Sequence, residues 1–226
     1  MKLARLEKRL REFGLRLRGV ARLREEEIRS LQIDSKSLSV VLVGNTGSSY
    51  WPMFSQSAEF QDGEPDPLDR WSKHVAEHVA KEFGLTPVYP FAGPPYHPFQ
   101  QWAQRAEALH QSPLGLMIHP EYGLWHSYRF GLLVADLNTE QQTSPVEAPC
   151  LSCKDQPCLN TCPVEAFSSN GYDVESCAAY LRQNADADCH QQGCQARNAC
   201  PAGEAYRYES AQHTFHLRAF LAARWV

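Results

Sequence analysis

Cys150-Leu-Ser-Cys153-Lys-Asp-Gln-Pro-Cys158-Leu-Asn-Thr-Cys162-Pro163 is the stretch on which the reading of this chain turns. Its cysteines are separated by two, four and three residues, short enough for one segment to wrap the corners of a small inorganic centre. A second run, Cys177, Cys189, Cys194 and Cys200, is spaced by eleven, four and five residues and ends in Cys200-Pro201. All 8 cysteines of the 226 residues thus fall between 150 and 200, in two groups of four that each close on Cys-Pro.

Two such runs are the layout of a bacterial two-cluster ferredoxin module, in which the fourth cysteine of each run ligates the other cluster. Thiolates are natural ligands of Fe–S iron. By that cross-over, one cluster takes Cys150, Cys153, Cys158 and Cys200, and the other takes Cys162, Cys177, Cys189 and Cys194. After Cys162, Val164 and Ala166-Phe167 resemble the apolar turn that packs over a ferredoxin cluster. Structural zinc is the main competitor, but it favours two close CxxC pairs, and only Cys150/Cys153 is one. A four-disulfide framework would need an oxidising compartment. His190, beside Cys189, is a candidate substitute ligand, with a supporting or solvent-facing role the simpler assignment.

Composition fits an ordinary packed protein: 43% hydrophobic and 21% charged residues, with net charge −4. No apolar run reaches 18 residues, so no membrane partner is expected. The N-terminus lacks an apolar secretory core, and the expected location is the cytoplasm. Residues 1–36 hold 11 Lys and Arg against 6 Asp and Glu. A basic arm can meet nucleic acid, but a solvated helix face is the expected reading, with no nucleic-acid partner.

The remaining pattern is mixed helix and strand. Leu3, Leu6, Leu10 and Phe13 predict an amphipathic helix closed by Gly14, and Leu15–Arg18 a short strand. Leu38–Val43 predicts a buried strand running into a Gly44–Ser49 turn, and residues 55–67 a loop. Asp66-Pro67 has the form of an N-cap and N1 proline, ahead of Leu68, Trp71, Val75, Val79 and Phe83 on one helical face. A helix over 99–109, a strand over 128–137 and a closing helix over 209–224 follow, the last offering Phe215, Phe220, Leu221 and Trp225 for packing. The expected division is residues 1–137, a linker 138–149, a ferredoxin-type domain 150–205 and a C-terminal helix 206–226.

Other candidate sites carry weaker signals. Gly44–Ser49 lacks the ending of a phosphate-binding loop. Asp69, Arg70 and His74 have the spacing of a surface ion-pair set. Asp188-Cys-His190-Gln-Gln-Gly193 matches the D-x-H-x-x-G string of base-off cobalamin domains, but that motif needs a preceding strand and is read as coincidence.

The cysteine half is similar to the C-terminal part of epoxyqueuosine reductase and of the corrinoid reductive dehalogenases. The likeness rests on the runs ending in Cys-Pro, on Cys177-Ala-Ala-Tyr-Leu181, and on Gly193-Cys194 to Cys200-Pro201 with longer gaps. Upstream, Met117-Ile-His-Pro-Glu-Tyr-Gly-Leu-Trp125, with Arg129 and the strand after it, resembles a segment of the cobalamin-trafficking cblC protein. These resemblances imply an α+β chain, a nitroreductase-like N-terminal domain followed by a two-cluster ferredoxin-like domain. They imply two [4Fe–4S] clusters feeding electrons to a centre in the first domain, a cobalamin, with His119, Tyr122, Trp125 and Arg129 as candidate cofactor contacts. A redox protein is the implied electron donor, and a small-molecule cofactor or substrate the other partner. A corrinoid-dependent reductase and a non-enzymatic carrier or cobalamin-handling protein both satisfy this pattern.

Overall fold

The computed structural model describes residues 3–33, 38–135, 137, 146–168 and 171–223, a mixed α+β chain. It divides into two compact units, residues 1–108 with 127–145, and residues 109–126 with 146–226.

The first unit is built on a four-stranded sheet whose spatial order is Arg16–Arg22, Leu38–Thr46, His126–Ala135 and Thr86–Val88. Leu38–Thr46 is buried at every position. That is why its sequence reads as an apolar run rather than an alternation: both faces are covered. Arg16–Arg22 runs antiparallel beside it, with a register shift between Leu17 and Gly19. Both strands extend beyond their expected ends, because ladder pairing carries Gly44 into the sheet opposite Arg16.

Helix Pro67–Phe83 buries Leu68, Trp71, Val75 and Val79, the expected face, and Gly84 ends it in a left-handed conformation. Asp66 departs from its expected part. An N-cap requires extended backbone, whereas Asp66 has φ +52° and its side chain caps nothing. The expected loop 55–67 also contains a short helix, Ala58–Gln61, capped by the Ser57 side chain at Phe60 N–H. Tyr50, Phe54 and Trp71 form a ring cluster with centroids 5.6–5.9 Å apart. Gly14 closes helix Leu3–Arg11 where a Cβ would lie 2.0 Å from the Ser49 carbonyl oxygen.

Several N-terminal basic residues are engaged in ion pairs. Arg5 and Arg9 both reach Glu82, and Arg11 pairs with Glu7. Asp69, Arg70 and His74 do not pair with one another: their partners are Arg129, Asp62 and Glu59. The buried ion pair is Arg18–Glu107, with Tyr128 Oη donating to the same carboxylate at 2.5 Å.

The second unit is a set of short helices with two small ladders, His110–Gln111 with Met117–Ile118 and Phe167–Ser168 with Gly171–Tyr172. Its longest helices are Val174–Gln183 and Ser210–Ala222. The closing helix buries Gln212 and His213, while Phe215, Phe220 and Leu221 are half-buried. Trp225 and residues 138–145 of the expected linker lie outside the described residues. Among the described residues no helix is long and apolar enough to cross a membrane.

Candidate metal centres

Short helices present the cysteines of the first run. Pro149–Ser152 and Pro157–Asn160 each begin with proline at the first turn, where its missing N–H costs nothing. They carry Cys150 and Cys158 and leave Cys153 at the C-cap of the first. In the second run, Cys177 lies on Val174–Gln183, which Asp173 caps at Ser176 N–H. Cys189 lies on Asp188–Gln192, and Cys194 is the N-cap of Gln195–Asn198. Gly193, φ +80°, makes the turn between them, and a Cβ there would lie 2.3 Å from His213 Nδ1.

The chain brings the cysteines together across the two runs. Cys150, Cys153, Cys158 and Cys200 line one cavity of about 30 Å³, with Pro113 and Ile118. Cys162, Cys177, Cys189 and Cys194 line another of about 310 Å³, with Leu181, Leu217 and Phe220. All eight are free thiols, none in a disulfide. Cys158 and Cys200 are buried in the unit's apolar core with Leu114, Ile118, Leu124 and Ala196.

Electrostatics sort the thiols the same way. Burial, the largest cause, pushes Cys150, Cys158, Cys177, Cys189, Cys194 and Cys200 above the ordinary thiol value. Among the cysteines, Cys150 and Cys158 are raised further by Cys153 and Cys200. Cys177 and Cys189 are raised by Cys162, and Cys194 by Cys189 and Cys177. Four wholly or partly buried thiols whose thiolates would repel one another suit a cationic centre, which would neutralise that charge.

Four sulfurs around one tetrahedral zinc stand about 3.8 Å apart, given Zn–S bonds of about 2.3 Å. No three His, Cys, Asp or Glu side chains among the described residues converge closely enough for a single ion. A cubane sets its thiolates wider, at its outer corners, and four cysteines are the ligand set of a [4Fe–4S] cluster. His190 Nε2 lies 2.9 Å from the Leu181 carbonyl oxygen, an interaction that holds the ring against its own neighbourhood. The D-x-H-x-x-G string lies on a short helix that follows another helix, without the strand its motif requires.

In the same unit His119 and Tyr122 stack at 4.3 Å. Trp125 is fully buried, with the Arg197 guanidinium over its ring at 4.4 Å and His213 against it at 5.5 Å. Burial, and then Arg197, push the His213 imidazole down to about 4, so it is neutral near pH 7. Arg129 belongs to the first unit and faces Asp69 at 3.9 Å. Burial, and then the neighbouring Cys177 thiol, push the Tyr172 hydroxyl above the ordinary phenol value. The sequence singled out neither Tyr172 nor Arg197, whose positions depend on tertiary packing.

No family model and no curated protein sequence matches the chain. Among solved structures, the C. elegans B12-trafficking protein CblC, a human MMACHC homologue, is similar with a TM-score of 0.55 at 13% identity. That match covers 99% of this chain and 92% of CblC. Epoxyqueuosine reductase is also among the structural neighbours. The Bacillus subtilis reductase is similar with a TM-score of 0.50 at 12% identity, over 91% of this chain and 67% of the reductase. At these identities the likeness is one of fold.

Proposed function

We propose that this protein is an iron–sulfur oxidoreductase or electron-transfer protein in which each group of four cysteines holds one [4Fe–4S] cluster. The observation that carries the reading is the gathering of Cys150, Cys153, Cys158 and Cys200 around one cavity and of Cys162, Cys177, Cys189 and Cys194 around another. That is the ligand exchange of a two-cluster ferredoxin, reached in spite of unequal spacings. In this reading the second unit is the ferredoxin-like part and the first is nitroreductase-like. When bound, the clusters supply one-electron transfer. The cysteines hold them, and the surrounding apolar side chains and prolines keep water from the sulfurs.

The electrons go to a centre associated with the N-terminal domain, a corrinoid in keeping with the B12-trafficking neighbour. Of the candidate contacts, Arg129 belongs to the first unit, while His119, Tyr122 and Trp125 belong to the second. The donor is a redox protein of the cytoplasm.

The test is anaerobic reconstitution with iron and sulfide, addition of cob(II)alamin, and EPR before and after reduction. Cluster signals with a base-off cobalt spectrum are the expected result. Cluster signals with cobalt unchanged from free cobalamin would leave a ferredoxin-like carrier. No cluster signal would overturn the reading and return zinc to the front.

A further inference from the structure

Away from the cysteines, histidines and carboxylates also meet in a groove of about 550 Å³ within the first unit. Arg9, Glu12 and Phe13 line it from the end of helix Leu3–Arg11 onward. Glu59 faces it from Ala58–Gln61, and His74 and His78 from Pro67–Phe83.

His74 and His78 are four residues apart on a 17-residue helix. Side chains so spaced stand one turn apart on one face, with Cβ atoms about 5–6 Å apart. Two imidazoles in that relation can close on a single metal ion, as in helical zinc motifs with histidines at i and i+4.

The hydrogen-bond partners decide which ring nitrogens are available. A carboxylate only accepts. His74 Nδ1 lies 2.8 Å from Glu59 Oε1, so Nδ1 carries a proton and the neutral ring keeps its lone pair on Nε2. The His74 side chain is 69% exposed, which leaves it open to an ion from solvent. A guanidinium only donates. Arg9 Nη2 lies 2.6 Å from His78 Nε2, so here too the lone pair is on Nε2. Phe13 stands edge-on to the His78 ring at 6.1 Å. A histidine whose other N–H is donated to a carboxylate is the usual arrangement behind a metal-bound imidazole, and His74 with Glu59 has it.

Arg9 acts against an ion. It occupies His78 Nε2 and puts a positive charge beside it. The same guanidinium is paired with Glu12 and, at 2.9 Å, with Glu82, so two carboxylates can hold it when a metal takes the nitrogen.

We propose that His74 and His78 form a binding site for a divalent ion of the zinc, nickel and copper group, with Arg9 as the cation that competes for it. Imidazole suits those ions, whereas magnesium prefers oxygen. Two protein nitrogens hold the ion and water fills its other positions, in keeping with the absence of three convergent donors among the described residues. Glu59 is a positioning residue that orients the His74 ring. The site stands apart from the iron–sulfur reading, since its residues all belong to the first unit.

The test is NMR of the full chain labelled with ¹⁵N in histidine, titrated with zinc chloride and separately with magnesium chloride. The cysteines will also take zinc, so the readout has to be specific to the residue. His74→Gln and His78→Gln assign the two ring signals. Both positions are exposed on the helix, so the core is untouched. The expected result is that the two rings move together along one zinc saturation curve and stay in place with magnesium. His74→Gln should abolish the movement at His78, because one imidazole alone does not chelate. Glu59→Gln should weaken zinc binding about 10–100-fold. Arg9→Gln should tighten it, the opposite of what loss of a merely structural contact would do. Rings that stay in place at millimolar zinc, that move independently, or that respond equally to magnesium overturn the site. So does an Arg9→Gln variant in which zinc binding is unchanged or weaker.

Discussion

The guanidinium of Arg197 lies over the indole of Trp125, 4.4 Å from the ring centroid, and over the phenol of Tyr208 at 4.6 Å. The same side chain donates to the Leu124 carbonyl oxygen. One cation therefore joins the 109–126 stretch to the last cysteine run within the second unit. A desolvated cation–π contact contributes about 2 kcal/mol, and a hydrogen bond from a charged donor about 1.5–3 kcal/mol. Arg197→Met, which keeps most of the volume, is expected to destabilise the unit by about 3 kcal/mol. Urea unfolding followed by Trp fluorescence measures it.

Glu27 receives Trp102 Nε1–H at 3.0 Å, Arg105 at 2.8 Å and the Arg24 backbone N–H at 2.7 Å. Burial alone would raise its carboxyl, but these donors outweigh burial and hold it below the usual glutamate value. A depressed carboxyl contributes stability that is complete above its unfolded value, about 4.3, and is lost as pH falls through the lower folded value. Glu27→Gln is expected to cost about 2–4 kcal/mol at pH 7. The difference from the parent should shrink below pH 4, and thermal melts across pH 3–7 show whether it does.

Arg18 is buried, with its Nε and Nη2 on the two oxygens of Glu107 at 2.9 Å and its Nη1 on the Asn45 carbonyl. Removing one partner of a buried pair leaves the other charge without compensation and costs about 3–5 kcal/mol. Glu107→Leu should fall in that range. The double variant Arg18→Met/Glu107→Leu should recover most of the loss. Chemical denaturation of the three proteins closes the cycle, and no recovery in the double variant would contradict the pairing.

Cys158 and Cys200 are the buried members of their group. Cys200→Ala should halve the iron and sulfide bound after anaerobic reconstitution, from about eight iron per chain to about four. It should do so although Cys200 belongs by sequence to the second run. If it instead disturbed the Cys162 group, each run would hold its own centre.

Much of this was legible in the chain. The helix at Pro67–Phe83 could be read because apolar residues recur on one face and glycine stands at its end. Leu38–Thr46 could be read because a strand covered on both sides has no need of polar alternation. The cysteine grouping is an expectation from a rule of cluster chemistry rather than from spacing alone. Helix Glu25–Ser30 escaped notice because it opens on three glutamates and buries only Glu27 and Ile28. Asp66 misled because cap preference is a statement about side chains, whereas its backbone is left-handed. The closing helix buries Gln212 and His213 where apolar packing was expected. Arg197 carries no local signal, since it acts on Trp125, which only the folded chain brings near.

The interleaving of the cysteine groups also sets an order of assembly on the ribosome. Cys162, Cys177, Cys189 and Cys194 have all been synthesised while Cys150, Cys153 and Cys158 still lack Cys200. The group whose first ligand appears earliest is therefore the last to become complete. In the two-cluster reading it would wait as three thiols, open to oxidation or to a wrong metal, while the 42 residues from 159 to Cys200 are added.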